Sequence, residues 1–211
     1  MHKLADQGSL KPRPFTLWPA VLTPAGALFF MAFAAAWYWP TPELAFISDN
    51  SPVSWLSSAQ LWATALIALR LGADRSLPVL ASVWLAGAMV VLACDEQFMF
   101  HEHWKYGCHQ WLDACRSHHW VTEAPILAVA IVGSVTIAWL HHLLHDRGCR
   151  LWLWSSLAVG ALAILVDLTN WPSQLARVEE ALEVVAEALF VGALLGWRGV
   201  SPTVAQEHST R

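Results

Sequence analysis

Residues 77–104 read LPVLASVWLAGAMVVLACDEQFMFHEHW. From Leu77 to Cys94 the stretch carries no charge, and the apolar run extends to Phe100 across Asp95, Glu96 and Gln97. A helix of about 20 apolar residues covers the roughly 30 Å of hydrocarbon in a bilayer, so this segment predicts a membrane-spanning helix. An Asp at the centre of such a helix costs about 2.5–3.5 kcal/mol on insertion scales, so acids retained there point to use.

The rest of the chain repeats the pattern. Of its 211 residues 56% are hydrophobic and 13% charged, with a mean hydropathy of +0.45, which excludes an ordinary soluble domain. Six apolar stretches are expected to span: Trp18–Trp39, Trp55–Leu71, Leu77–Phe100, Pro125–His142, Leu151–Leu168 and Val178–Trp197. The fold class expected is an all-α polytopic membrane bundle. It divides into an N-terminal segment (1–17), a six-helix domain (18–197) and a C-terminal tail (198–211).

With the N-terminus in the cytoplasm, nine basic residues lie inside: Lys3, Lys11, Arg13, Arg70, Arg75, Arg147, Arg150, Arg198 and Arg211. Only Lys105, Arg116 and Arg177 lie outside. That bias predicts N-in/C-in topology in a bacterial inner membrane. The first span resembles a secretory signal in its basic start and Ala32-Phe33-Ala34, but its apolar run continues to Trp39, so it is read as an uncleaved anchor. Trp37, Trp39, Trp55, Trp104, Trp111, Trp120 and Trp171 fall near the outer boundary, and Trp18, Trp139, Trp152, Trp154 and Trp197 near the inner one. Indoles at these levels anchor helices at the headgroups.

The acids divide the other way: twelve of sixteen carboxylates are expected on the outer half, which gathers cations and offers nothing to nucleic acid. In the third span, a helix continuing past the boundary places Asp95, Met99 and Glu102 on one stripe, with Glu96 and His103 beside it. His101 then projects elsewhere, near Gln97. In the sixth span, Glu180, Glu183 and Glu187 share a face at i, i+3, i+7. Glu183 and Glu187 lie about 7 and 13 Å below Val178, at a depth similar to Asp95 and Glu96.

Oxygen donors with a few imidazoles suit a divalent ion: Mg, Mn, Ca or, with more nitrogen, Fe or Zn. The candidate metal ligands are Asp95, Glu96, His101, His103, Glu180, Glu183 and Glu187. Glu102 and Asp167 are the candidate general bases for metal-bound water. Without a cation, neighbouring carboxylates share protons instead.

Cys108 and Cys115, seven apart in one outer loop with His109, His118 and His119, favour a disulfide over a mixed metal site. His141 and His145, near the inner end of the fourth span, read as an interfacial polar end. The chain lacks the Ser-x-x-x-His element of alkaline-ceramidase-like hydrolases, the histidine boxes of membrane desaturases and the Glu-x-x-His pairs of soluble di-iron bundles.

The expected function is therefore a metal-dependent enzyme acting on a lipid or membrane-partitioned substrate from the outer face. The alternatives are a proton or divalent-cation transporter, and a non-catalytic subunit of a membrane complex. Lipids are the expected partners, with partner subunits or a homo-oligomer beside them.

Overall fold

The computed structural model describes residues 15–46, 51–168 and 176–197. Both terminal segments, Asp49, Asn170, Trp171 and the side chain of His119 lie outside the described residues. Six long helices follow the expected stretches: α1 (Leu17–Trp37), α2 (Pro52–Ala73), α3 (Val79–Phe98), α7 (Ala124–Leu143), α8 (Arg147–Leu168) and α9 (Ala176–Gly196). Between α3 and α7 run three short helices, α4 (Phe100–Gly107), α5 (Ala114–Ser117) and α6 (His119–Thr122). Among the described residues there is no strand.

Local chemistry sets the helix starts. Pro52 occupies the first turn of α2, where no N–H is needed, and the Ser51 hydroxyl caps the helix by accepting from the Ser54 N–H at 3.0 Å. Pro78 precedes α3, and a proline opens the first turn of α7.

Four helices, α1, α3, α7 and α8, are long and apolar enough to cross a membrane. The other two carry the polar groups: α2 its serines, α9 its glutamates. The bundle places α9 inside, packed on α8, α1 and α2, while α3 packs on α2 and α7 on α8. Val184, Ala186, Ala188, Phe190, Val191, Ala193 and Leu194 of α9 are all buried. Large apolar side chains of the coat helices, including Phe29, Leu80, Ile131 and Leu151, are exposed. An apolar coat around a helix that carries glutamates is the pattern expected of helices with hydrocarbon outside, where polar side chains gain only by turning inward.

Hydroxyls hold α9 in place. Thr23 donates to the Ala188 carbonyl at 2.8 Å and Ser156 to the Ala186 carbonyl at 2.7 Å. Ser82 makes a similar bond from α3 to the Ala68 carbonyl of α2 at 2.6 Å. Gly192 permits the close crossing of α1 and α9: a Cβ there would meet the Ala20 carbonyl oxygen at 2.7 Å. Toward the end of the bundle away from α4, Leu77, Leu85, Leu140, Leu144, Leu153 and Leu194 form one apolar cluster. A smaller cluster of Ala27, Met31, Val53, Val184 and Ala188 joins α1, α2 and α9.

Candidate functional site

The helix expected to run on from Asp95 to His103 is broken. Met99 adopts left-handed backbone angles (φ 51°, ψ 44°), ending α3 at Phe98 and starting α4 at Phe100. The cause lies in Asp95. Its Oδ1 accepts the His101 backbone N–H at 3.0 Å, and its Oδ2 lies 2.8 Å from His101 Nδ1. A carboxylate at the start of a helix satisfies N–H groups that have no partner within it. Asp95 thus caps α4 from the last turn of α3.

Two expectations are corrected by this break. Asp95, Met99 and Glu102 do not form one helical stripe, and His101, expected to project elsewhere, is folded back onto Asp95. Its hydrogen bond to Asp95 raises the His101 pKa above the ordinary value, against burial, with the charges of Asp95, Glu102 and Glu96 adding to the rise. His103 turns out to be exposed, its Nδ1 lying 2.8 Å from the Met99 carbonyl.

Glu96, one residue from Asp95, faces a different group. It has Ser54 of α2 as a hydrogen-bonding neighbour and is an electrostatic neighbour of Glu180, Glu183 and Glu187. Glu187 accepts a hydrogen bond on Oε1 from the Ser57 hydroxyl at 2.8 Å, while its Oε2 is buried without a hydrogen-bond partner. The two sets of acids therefore do meet, between α2, α3 and α9, and buried serines of α2 lie beside them. The serines were not singled out from the sequence; their signal was the spacing Ser51, Ser54, Ser57, Ser58, a hydroxyl stripe on one helix face.

Asp167 lies at the end of α8 in an ion pair. Lys105 Nζ donates to its Oδ1 at 2.8 Å and lies 3.3 Å from Glu123 Oε2. These side chains are 18% (Lys105), 18% (Asp167) and 5% (Glu123) exposed, so the pair sits largely out of water. Burial opposes the Lys105 charge, but the hydrogen bond and charge of Asp167, with Glu123, outweigh it and raise its pKa. Glu102 is half-buried on α4, an electrostatic neighbour of Glu179 and Glu180. The sequence reading missed Lys105, although it is one of only three bases in the acid-rich half.

Cys108 and Cys115 form a disulfide with their Cα atoms 6.1 Å apart. The loop it closes is tied down where Trp104 Nε1 donates to the Val121 carbonyl at 2.9 Å. His109 and His118 are exposed. At the other end of the bundle His141 Nδ1 accepts from Trp154 Nε1 at 3.0 Å. Among the described residues, no three His, Cys, Asp or Glu side chains converge closely enough to hold a metal ion. Glu96, Glu180, Glu183 and Glu187 are strung along two helices, an arrangement that suits shared protons or a cation with its own donors.

Residues 14–197 match the model of a family described as a domain of unknown function (DUF8692). No curated protein and no solved structure matches the chain.

Proposed function

The chain belongs to this family, and we propose that it is a six-span bacterial inner-membrane protein, N-in/C-in, whose outward-opening acidic cleft binds a cation. The observation that carries the reading is Glu187. It stands about 13 Å below Val178 at 1.5 Å per residue. One of its oxygens is bonded to Ser57 and the other is buried with no partner, with Glu96, Glu180 and Glu183 nearby. Neighbouring carboxylates in an apolar setting do not all ionise; they take up protons or another cation.

The six long helices and the nine-to-three distribution of basic residues support the orientation. The cleft then opens to the periplasmic face, and the apolar cluster around Leu85, Leu153 and Leu194 closes it toward the cytoplasm. A one-sided site argues against a conduit, so the transport reading gives way to binding or chemistry at the outer leaflet.

The test is modification of the protein in nanodiscs by dicyclohexylcarbodiimide, which attacks protonated carboxyls in apolar sites. Mass spectrometry is expected to place the adduct on Glu187 or Glu183, at a rate that falls as pH rises. Absence of an adduct on both, or a rate independent of pH, refutes the reading. A second reading, a metal-dependent enzyme acting on a membrane-partitioned substrate, is favoured by the His101–Asp95 pair, an oriented imidazole beside Glu96 and Glu102. Stoichiometric divalent metal in the purified protein, lost in Glu183→Gln, would support it; its absence would sink it.

A further inference from the structure

Beyond the spans, α4 has its faces reversed relative to a helix bathed in water. Its charge-bearing side chains turn toward the protein. His101 is half-buried against Asp95, Lys105 reaches Asp167 at 2.8 Å, and Glu102 is half-buried near Glu179 and Glu180. Its exposed stripe is Phe100, His103 and Tyr106. At 3.6 residues per turn these three cover about a third of the circumference, and the other four side chains cover the opposite side. Even His103 turns its Nδ1 back to the Met99 carbonyl, at 2.8 Å. Trp104, on the inward side, donates its indole N–H to the Val121 carbonyl.

Exposed aromatics flank this helix on both sides. Phe98, Phe100, Tyr106, Trp111 and Trp120 are each 60–72% exposed. Their backbone is tied down, by the Cys108–Cys115 disulfide and by the Trp104–Val121 bond between α4 and α6. Large apolar groups held exposed mark a surface that something covers. Two observations say what covers it. Leu80, Val91 and Phe98 are exposed and fall on one face of α3, a helix long and apolar enough to cross a membrane. The Phe98 ring lies 5.6 Å from that of Phe100, so the coat of α3 continues across the Met99 break onto α4. The exposed acid and base of this region, Asp113 and Arg116, lie 3.8 Å apart and offset each other, which leaves aromatic rings as its main feature.

We propose that α4 and the disulfide-closed loop seat in the headgroup layer of the outer leaflet, with Phe98, Phe100, Tyr106, Trp111 and Trp120 against lipid. Amphipathic aromatic rings favour the headgroup level, and a helix with one apolar and one polar face lies within that layer. The polar face of such a helix ordinarily meets water. Here the protein's own acids take it up, so α4 is held between lipid on one side and Asp95, Asp167 and Glu123 on the other. The proposal rests on the membrane-embedded, N-in reading and adds a lipid contact beyond the spans.

Photolabelling of the native full chain in nanodiscs of phosphatidylethanolamine and phosphatidylglycerol tests it with three diazirine probes. One is a phospholipid carrying the diazirine at its headgroup, one carries it at the end of an acyl chain, and one is a water-soluble carboxylate. Mass spectrometry is expected to find headgroup-probe adducts on the aromatics of residues 98–106 and on Trp111 or Trp120. Phe100→Ser combined with Tyr106→Ser should lower headgroup labelling of residues 98–120 at least threefold. Acyl-probe labelling of Ile131, exposed on α7, should stay unchanged in that variant and so report an intact bundle. Labelling of the aromatics by the water-soluble probe alone, or headgroup labelling unchanged in the double variant, would overturn the proposal. Headgroup adducts that form in nanodiscs and vanish in native membranes would overturn it too, by giving the face to a protein partner. If the acyl probe labels Ile131 while the headgroup probe misses the aromatics, only this proposal falls. If Ile131 also escapes, the membrane reading falls with it.

Discussion

Lys105→Met removes the ammonium group that lies against both Glu123 and Asp167. In the native protein Lys105 lies 2.8 Å from Asp167 Oδ1 and 3.3 Å from Glu123 Oε2, and none of the three side chains is more than 18% exposed. Breaking a buried pair by deleting one partner costs about 3–5 kcal/mol, because the surviving charge keeps its desolvation penalty and loses its attraction. Here Asp167 loses its hydrogen-bonded cation and Glu123 a neighbouring charge, so a cost within that range is expected. Asp167→Asn leaves Lys105 with Glu123 and should cost less, about 1–3 kcal/mol. The decisive comparison is the double variant. With Lys105 already gone, neutralising Asp167 removes a stranded charge, so the double variant should be more stable than Lys105→Met alone. At a cost of about 3–5 kcal/mol, thermal unfolding in detergent would read the single change as a fall in Tm of roughly 6–20 °C, at about 2–4 °C per kcal/mol for a chain of this size. If the two changes simply add, or if Lys105→Met unfolds within about 0.5 kcal/mol of the native protein, the ion pair does not stabilise the α4–α7–α8 junction.

His101 should titrate above its ordinary value of 6.5 in NMR, and Asp95→Asn should bring it down. A raised folded value means that the stabilisation from this pair is full below the unfolded pKa and is lost as pH rises through the folded one. Asp95→Asn should therefore destabilise more in mild acid than in alkali, and an equal penalty at both would remove the charge from the account. Ser57→Ala should cost about 1–3 kcal/mol through Glu187, measured by the same unfolding experiment; a neutral change would mean that the hydroxyl is not holding the acid. Gly192→Ala drives a methyl against the Ala20 carbonyl and should cost about 1–3 kcal/mol. Gly26→Ala, where the added methyl meets nothing within 4 Å, is its control and should be near neutral or slightly stabilising.

The six long helices were legible because each is a mostly apolar run bounded by proline, charge or turn residues, as at Pro52 and Pro78. The meeting of Glu96 with Glu183 and Glu187 was legible too, from matched depth. The break at Met99 was not. Gln97-Phe98-Met99-Phe100 contains no glycine or asparagine to announce a left-handed residue, and the turn is imposed by Asp95 reaching forward to cap the next helix. Adjacent acids that looked like one unit are consequently divided, Asp95 to α4 and Glu96 to the cleft. The Ser57–Glu187 bond joins residues 130 positions apart and depends on how α2 and α9 pack, which periodicity within either helix does not encode.

In the six-span arrangement proposed above, the internal position of α9 has a consequence for the order in which the helices enter the membrane. With Arg177, Glu179, Glu180, Glu183 and Glu187 in one helix, α9 is a poor substrate for insertion by itself, since each charge near the middle of a span opposes entry. Its partners α1, α2 and α8 all precede it on the ribosome, and Thr23, Ser57 and Ser156 wait with hydroxyls for it. In that arrangement the preceding helices act as a receptor for α9, and its insertion brings Glu187 to the Ser57 hydroxyl. In a glycosylation-mapping assay, α9 alone should remain outside the bilayer and should enter behind α1–α8. Equally efficient entry in both contexts would show that the helix carries its own acids across.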